Sequence, residues 1–549
     1  MPGSGGVAHR TPVDLPTAWG RLAQVALAIL ALCLTAIWLI ADPRTPDLAA
    51  AVYRVDIFRQ LGLAVWDEHW YAGHHLPGYS LLLGPLGAVV GLHVLGAVAV
   101  LSSTTLFERL ARSFYGDGAR WGAAFFAVAA VGDVWAGRMA FAVGVPLALA
   151  SALSLRRGNG ASAAVLGALC AAASPVAGAL LGLAGLTATL ASGSRRPVLV
   201  LAGPAAIVVG GLAVLFPEGG YEPYPILSFA ATALVTLTFL WALPTAERSL
   251  RIGGRLYLLV CAACLAFHSP VGSNVERYGV LLAGPLLLCC SVDRRIAGPR
   301  PASRRRSALA APMLALALGA AAVWVVWGPA RETIAVAGSP ATSASYYAPV
   351  ERFLAARAGG PVRIEVPLTR THWEAALLAP RVSLARGWEK QMDTRYNGVL
   401  LAPGLTAEKY GRWLREQAVA YVALPDVALD PSSAQEGRLI RRGVPFLREV
   451  SSGAHWRIYR VLRATPLVSG PARLRSLGHD SFALSAGSAG AVVVRVHFTR
   501  YWTLTRGHGC VGRAPGGWTA VRLSGPGTVL VSARFSIGRA LGSGATSCV

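Results

Sequence analysis

The sequence predicts a polytopic α-helical membrane domain of about eleven transmembrane helices, N-terminus in and C-terminus out, followed by an exported α/β unit and a β-sandwich. Three observations predict this. Apolar residues make up 54% of the chain and charged residues only 14%, well under the quarter usual in soluble domains. Apolar runs long enough to cross about 30 Å of hydrocarbon recur from residue 20 to residue 328 and then stop. Past that point strand-like and helical runs alternate, and these finally give way to period-two alternation cut by Gly, Pro and Ser.

In chain order, a cytoplasmic tail over 1–19 leads into a membrane domain over 20–328. Spans are expected near 20–41, 79–104, 119–133, 138–155, 161–173, 175–192, 197–216, 224–244, 254–268, 279–292 and 308–328. The first apolar run is too long for a signal-peptide core, has no small-residue cleavage site and is followed by further spans, so no cleavable signal is expected. The stretch 161–192 holds about thirty apolar residues, roughly 46 Å as one helix and too long for one span. Ser174-Pro175 in its middle offers a break. Charge requires that break, because Arg156-Arg157 and Arg195-Arg196 on either side both belong in the cytoplasm. The same rule places Arg109, Arg112, the 248–255 loop and the arginines of 294–306 inside, and the loops 42–78, 133–138, 217–223 and 268–278 outside.

The net charge of +24 is largely explained by these positive-inside loops, so membrane lipids rather than nucleic acid are the expected partners. The cytoplasmic membrane is the expected location. Six of the eight cysteines fall within spans. The other two, Cys510 and Cys548, lie in the exported tail and are expected to form a disulfide, which would contribute roughly 3–4 kcal/mol. Cys261 and Cys264 form a C-x-x-C inside an apolar run with no second pair, a structural rather than a metal-binding arrangement.

The exported part divides into an α/β domain over 329–463 and a sandwich over 464–549. "VRIEVPL", "AYVALP" and "HWRIYRV" read as strands. "TAEKYGRWLREQAV" reads as a helix with a Thr406 N-cap and an apolar face of Tyr410, Trp413 and Leu414. "AVVVRVHF" and "GTVLVSARF" belong to the sandwich. Residues 371–397, rich in Trp, Arg, Glu and Asp, suit contact with sugar or phosphate and equally suit docking of this unit onto the membrane domain. There is no phosphate loop, nucleophile elbow or metalloprotease signature.

Charges at span ends are costly and mark function, and the first outer loop, 42–78, is the richest, with five acids against three arginines. Helical spacing over 49–63 sets Asp56 and Arg59 three residues apart on one face. After it comes "WDEHWYAGHHLPGYSLLLGPLG". His69, His74 and His75 near Asp67 and Glu68 invite a divalent-metal reading. That reading is the weaker one, because the adjacent His74 and His75 point in different directions and interfacial His, Trp and Tyr serve as anchors. No cofactor is expected with certainty.

A long polar loop after the first span, an acid on a helix and the motif just quoted resemble the GT-C superfamily of multi-span glycosyltransferases. So do "AGRMAFAVGVPLALASAL", the hairpin at Ser174-Pro175 and "SPVGSNVERYGVLLAGPLL". The resemblance implies transfer of a sugar from a polyprenyl-phosphate donor to an envelope glycan, lipid or protein acceptor at the outer membrane face. It implies a loop acid as base, with Asp56 the best match and Asp47 and Asp67 behind it, and Glu68 as a rival second acid. Arg138 and Arg277 would meet the lipid phosphate, with Asn274 and Glu276 lining the same mouth and Arg54, Arg59, His74 and His75 as further substrate contacts. The alternative is a non-catalytic envelope-assembly or glycopolymer-binding protein on the same scaffold. A transporter is disfavoured by the absence of an inverted repeat.

Overall fold

The computed structural model describes residues 18–296, 304–357 and 359–542. Its first half is helical. α1 (Ala18–Ala41) is followed by α2 (Pro46–Leu61), α3 (Leu83–Val90), α4 (Leu92–Tyr115), α5 (Ala119–Trp135), α6 (Met139–Arg156), α7 (Gly160–Ala173) and α8 (Pro175–Ser192). Then come α9 (Gly203–Leu215), α10 (Ile226–Ala242), α11 (Arg248–Ala266), α12 (Glu276–Ile296) and α13 (Arg304–Val336). Eight stretches among the described residues are long and apolar enough to cross a membrane, one of them, Leu92–Trp135, comprising both α4 and α5; α7 and α10 are shorter apolar helices. This is a multi-pass membrane arrangement. The helices pack through small residues, which let backbones approach closely in lipid: Ala119, Gly122, Ala123, Ala127 and Ala130 of α5 are all buried.

Local chemistry explains the helix breaks. Ser174 leaves helical geometry at φ −155° and its Oγ accepts from the Ala177 amide at 3.3 Å, while Pro175 opens α8, so the expected hairpin is capped by its own sequence. Pro204, which lacks an amide donor, follows a π-helical turn over Val198–Ala202. The expected span over 79–104 is corrected. Gly91, at φ +81°, splits it into α3 and α4, and α3 packs on α2 so tightly that a Cβ on Gly87 would lie 2.5 Å from Val55.

Between α2 and α3, the first loop carries two short strands, β1 (Trp66–Asp67) and β2 (His74–His75), which pair antiparallel. α14 (Ala344–Ala356), β3 (Arg363–Glu365), α15 (Glu374–Leu377), β4 (Ser383–Leu384), α16 (Lys390–Tyr396), α17 (Gly398–Leu401), α18 (Ala407–Glu416), β5 (Val419–Pro425), α19 (Ala434–Arg442), β6 (Leu447–Ser452) and β7 (Trp456–Val461) form the α/β unit. Its sheet runs β4-β3-β5-β7-β6, parallel at the β4 side and antiparallel at the β6 side. β8 (Val468–Ser469), β9 (Ala472–Leu477), β10 (Ser481–Ala486), β11 (Gly490–His497), β12 (Trp502–Arg506), β13 (Gly509–Arg513), β14 (Trp518–Leu523) and β15 (Gly527–Ala533) make two four-stranded sheets, closed by the short α20 (Ile537–Ala540).

The first loop is the hub of the molecule. Tyr53, Ile57, Trp70 and Tyr71 share a buried cluster with Tyr347, Ile364, Trp373 and Trp456 of the α/β unit. Val65 and Trp66, with Leu212 and Phe216 of the α9 end, belong to the sandwich core. The aromatics of "DEHWYAGHHLPGY" therefore fill a protein core rather than a membrane interface. Gly73, at φ +117°, turns the chain where a Cβ would lie 2.2 Å from the Trp66 ring.

Candidate functional site

The site is built around the N-terminus of α2. Thr45 precedes the helix and donates its hydroxyl to the Trp135 carbonyl at 3.0 Å, Pro46 takes the first helical position, and Asp47 sits in the first turn. An acid is favoured there by the unpaired amides of the helix end. Gly137, at φ +78°, lies so close to α2 that a Cβ would fall 2.2 Å from the Leu48 nitrogen. Only glycine allows that approach, and its consequence is that the next residue, Arg138, reaches Asp47. Arg138 Nε lies 3.8 Å from Asp47 Oδ2 and its Nη1 3.5 Å from Asp133 Oδ1. Trp135 Nε1 donates to Thr333 Oγ1 at 2.7 Å and ties this corner to α13. Arg277, at the start of α12, lies over the Phe141 ring at 5.4 Å and within the electrostatic reach of Arg138, Asp47, Asp133 and Tyr79. Glu332 of α13 faces Arg138 and Asp47 from the remaining side.

The opposite rim comes from the 217–225 loop and the α/β unit. Gly272, at φ +44°, brings the turn before α12 against Glu222, where a Cβ would lie 2.0 Å from the Glu222 carbonyl oxygen. The Ser273 hydroxyl donates to Glu222 Oε1 at 3.2 Å. Burial pushes the Glu222 carboxyl above its ordinary range, with Lys390 acting against it. Gly220 abuts the Gln391 carbonyl, Gln391 Nε2 donates to the Pro270 carbonyl at 3.0 Å, and the Thr394 hydroxyl donates to the Tyr221 carbonyl at 2.8 Å. Arg54 completes the ring: its Nη2 lies 2.5 Å from Glu389 Oε2, and its guanidinium stacks 3.8 Å over Tyr79. The Tyr71 hydroxyl donates to the Glu389 carbonyl at 3.0 Å. The loops 42–78, 133–138, 217–223 and 268–278 thus gather on one face with the C-terminal units.

The predicted residues divide into three groups. Arg54, Arg138 and Arg277 converge on this mouth. Asn274, in the turn Gly272–Val275, and Glu276, which faces Thr232 and Tyr224, sit at its α10 side. Asp56 is elsewhere. It pairs with Arg59 at 3.0 Å, as the spacing predicted, and Arg59 reaches toward the Gly87 carbonyl of α3. Nine residues at 100° each turn Asp56 roughly 180° away from Asp47. Arg54, seven residues from Asp47, returns to the same face.

Asp67, Glu68, His74 and His75 lie away from this mouth, at buried joints between the first loop and the C-terminal units. Asp67 is fully buried and accepts from the Tyr53 hydroxyl at 2.8 Å and the His69 amide at 3.1 Å, with His479 Nδ1 at 2.9 Å. Burial alone would raise its pKa, but the His479 hydrogen bond and the neighbouring histidines hold it below the usual carboxylate range. Glu68 is fully buried and accepts from Arg363 Nη2 at 2.7 Å, and burial pushes its carboxyl up to about 8 against that partner. Neither carboxylate is open to an acceptor. His74 stacks on Trp70 inside the core, 3.8 Å from Asp67. His75 spans Glu218 at 2.7 Å and Thr499 at 3.0 Å, pinning the sandwich to the membrane domain. Among the described residues no group of three His, Cys, Asp or Glu side chains is arranged to hold a metal ion. The expected disulfide involves Cys548, which lies outside the described residues; Cys510 sits on β13 opposite Arg522.

Sequence reasoning ranked Asp47 behind Asp56 and passed over Asp133, Glu222, Glu332, Glu389 and Lys390. The seven-residue spacing of Asp47 and Arg54 was the available signal for the face of α2 that is turned to the mouth.

No protein-family model and no curated protein matches the chain. Among solved structures it is similar to ArnT from Cupriavidus metallidurans bound to undecaprenyl phosphate, at 15% identity and a TM-score of 0.43, over 82% of this chain and 99% of that one. It is also similar to the apo form of an Archaeoglobus fulgidus oligosaccharyltransferase, at 12% identity and a TM-score of 0.39, over 74% of this chain and 69% of that one. Likeness of this extent carries nothing about particular residues or chemistry.

Proposed function

We propose that the chain is a membrane glycosyltransferase that moves a sugar from a polyprenyl-phosphate donor to a hydroxyl of an envelope glycan, lipid or protein, with Asp47 as the base. The observation that carries this reading is the Asp47–Arg138 corner. A carboxylate 35% exposed faces an arginine 23% exposed, at the membrane end of several apolar helices where charge is costly and marks function. The donor class is the one implied by the resemblance of the first loop.

The acceptor oxygen attacks the anomeric carbon while the bond from that carbon to the phosphate oxygen breaks. The electron pair leaves with the lipid phosphate, and the acceptor proton passes to Asp47. Arg138 and Arg277 offset the charge that develops on the departing oxygen. Asp133, 3.5 Å from Arg138, orients that guanidinium from below. In this reading the loop charges set an N-in, C-out topology across the cytoplasmic membrane, with the mouth outside, and the exported part divides at about residue 463.

The test is complementation of a strain lacking the gene, read as its envelope glycan profile. Asp47→Asn should fail to restore the wild-type profile while remaining in the membrane at normal abundance. Full rescue by Asp47→Asn removes the base from the mechanism. Full rescue combined with failure of Arg138→Gln points instead to a binding protein on the same scaffold.

A further inference from the structure

Beyond Val336, large apolar side chains are exposed at five positions among the described residues, and three of these, Phe535 (48%), Ile537 (71%) and Leu541 (77%), fall within seven residues of one another. They lie on the segment that closes the sandwich, and they are held rigidly. The Arg534 amide donates to the Tyr501 carbonyl at 2.9 Å, the Ser536 hydroxyl caps α20 by accepting from the Arg539 amide at 3.2 Å, and Arg500 donates to the Ala540 carbonyl at 2.7 Å. Ala540 is buried in the sandwich core. Exposure here is therefore a fixed display of apolar surface.

Its position identifies what it faces. The Phe535 ring lies 6.0 Å from Phe216, the residue that ends α9, and 5.6 Å from Tyr501, whose hydroxyl donates to the Leu215 carbonyl at 2.6 Å. α9 is an apolar membrane helix whose Ile207 and Val214 are outward-facing and exposed. The apolar surface of a membrane-crossing helix thus continues, past Phe216, onto the sandwich. Arg500 and Arg534 are exposed and Arg539 half-exposed around it, and none of the three pairs with an acid among the described residues. Apolar side chains ringed by unpaired arginines match the boundary between acyl chains and anionic headgroups.

We propose that the Arg534–Leu541 segment is a membrane foot: Phe535, Ile537 and Leu541 enter the adjacent leaflet, and Arg500, Arg534 and Arg539 meet lipid phosphates. The contact would fix the height of the sandwich over the bilayer independently of any reaction at the mouth.

The test uses the full chain with Cys33→Ser and Cys264→Ser, in nanodiscs of phosphatidylcholine and phosphatidylglycerol. A nitroxide is placed at Ile537→Cys or, as control, at Ser524→Cys. Ser524 is exposed beyond the far end of β15, roughly 20 Å along the strand. The label at 537 should collide more with oxygen than with a water-soluble nickel chelate, at a ratio several-fold above that at 524. Equal ratios would overturn the proposal, since 537 would then face water. Protection of 537 from both reagents would also overturn it, because another protein surface or a second copy would then cover the segment.

Discussion

The first loop contributes to two charged regions that behave in opposite ways. At the mouth, Asp47 faces Arg138 across 3.8 Å, and both remain part-exposed. At the joint, Asp67 and Glu68 are fully buried and bonded to Tyr53, His479 and Arg363. The joint is closed off inside the protein, whereas the mouth leaves charge part-exposed at a membrane face. A buried ion pair is weak evidence of net stabilisation but is costly to break from one side. A loosely paired, part-exposed carboxylate at a helix N-terminus can instead accept a proton without dismantling its surroundings.

The contrast predicts that mutations at the mouth change chemistry and mutations at the joint change stability. The largest effect is expected from Asp47→Asn. Loss of a general base lowers transfer by about 10²–10⁴-fold, with a Tm within a degree or two of wild type. A comparable loss of both transfer and Tm would place Asp47 with the joint instead.

Arg363→Met should act in the reverse sense. It removes the hydrogen-bonded partner of Glu68 and should destabilise the chain by about 3–5 kcal/mol, measured as a fall in the denaturation midpoint. Transfer per folded molecule should persist. Replacing Glu68 and Arg363 together by Met should recover much of the loss, because no unpartnered buried carboxyl is then left inside. If the double variant is as unstable as the single one, packing rather than charge holds the joint.

A smaller effect should appear on titration. Burial alone would lower His479, but its hydrogen bond and charge interaction with Asp67 raise it above its ordinary 6.5. Its contribution is therefore complete below that value and is lost as pH rises through the raised one. Asp67 is held below its ordinary 3.8, so its contribution is present above that value and is lost only as pH falls through the depressed one. The pair is tightest from about pH 4 to about 6.5. The Tm difference between wild type and His479→Asn should shrink as pH rises from about 6 through the raised value. A difference that stays constant over that range would mean the ring acts by packing alone.

Local rules made some of this legible in the sequence and long-range contacts hid the rest. The hairpin at Ser174-Pro175 and the Asp56–Arg59 pair depend on local features, so span length, proline and loop charge found the first and helix periodicity the second. The choice between Asp47 and Asp56 depends on which face of α2 meets Gly137, about ninety residues onward in sequence. The sealing of Glu68 and Asp67 depends on Arg363 and His479, separated from them by 295 and 412 positions. Composition cannot reveal such partners, and a run of acids and histidines reads as a site in their absence.

The smallest expected effect comes from the residue the sequence favoured. Asp56 and Arg59 form an i,i+3 pair with both side chains substantially exposed, and exposed pairs of this kind contribute about 0–1 kcal/mol. Asp56→Asn should shift stability by no more than that and leave the glycan profile of a complemented strain at wild type. The helix phase requires this: with Asp47 and Arg54 turned to the mouth, Asp56 lies on the opposite side of the helix, and no rotation of α2 could bring both acids to one substrate. Loss of complementation by Asp56→Asn at normal abundance would therefore mean that the acceptor approaches the side of α2 that carries Asp56, and the Asp47 assignment would fall with it.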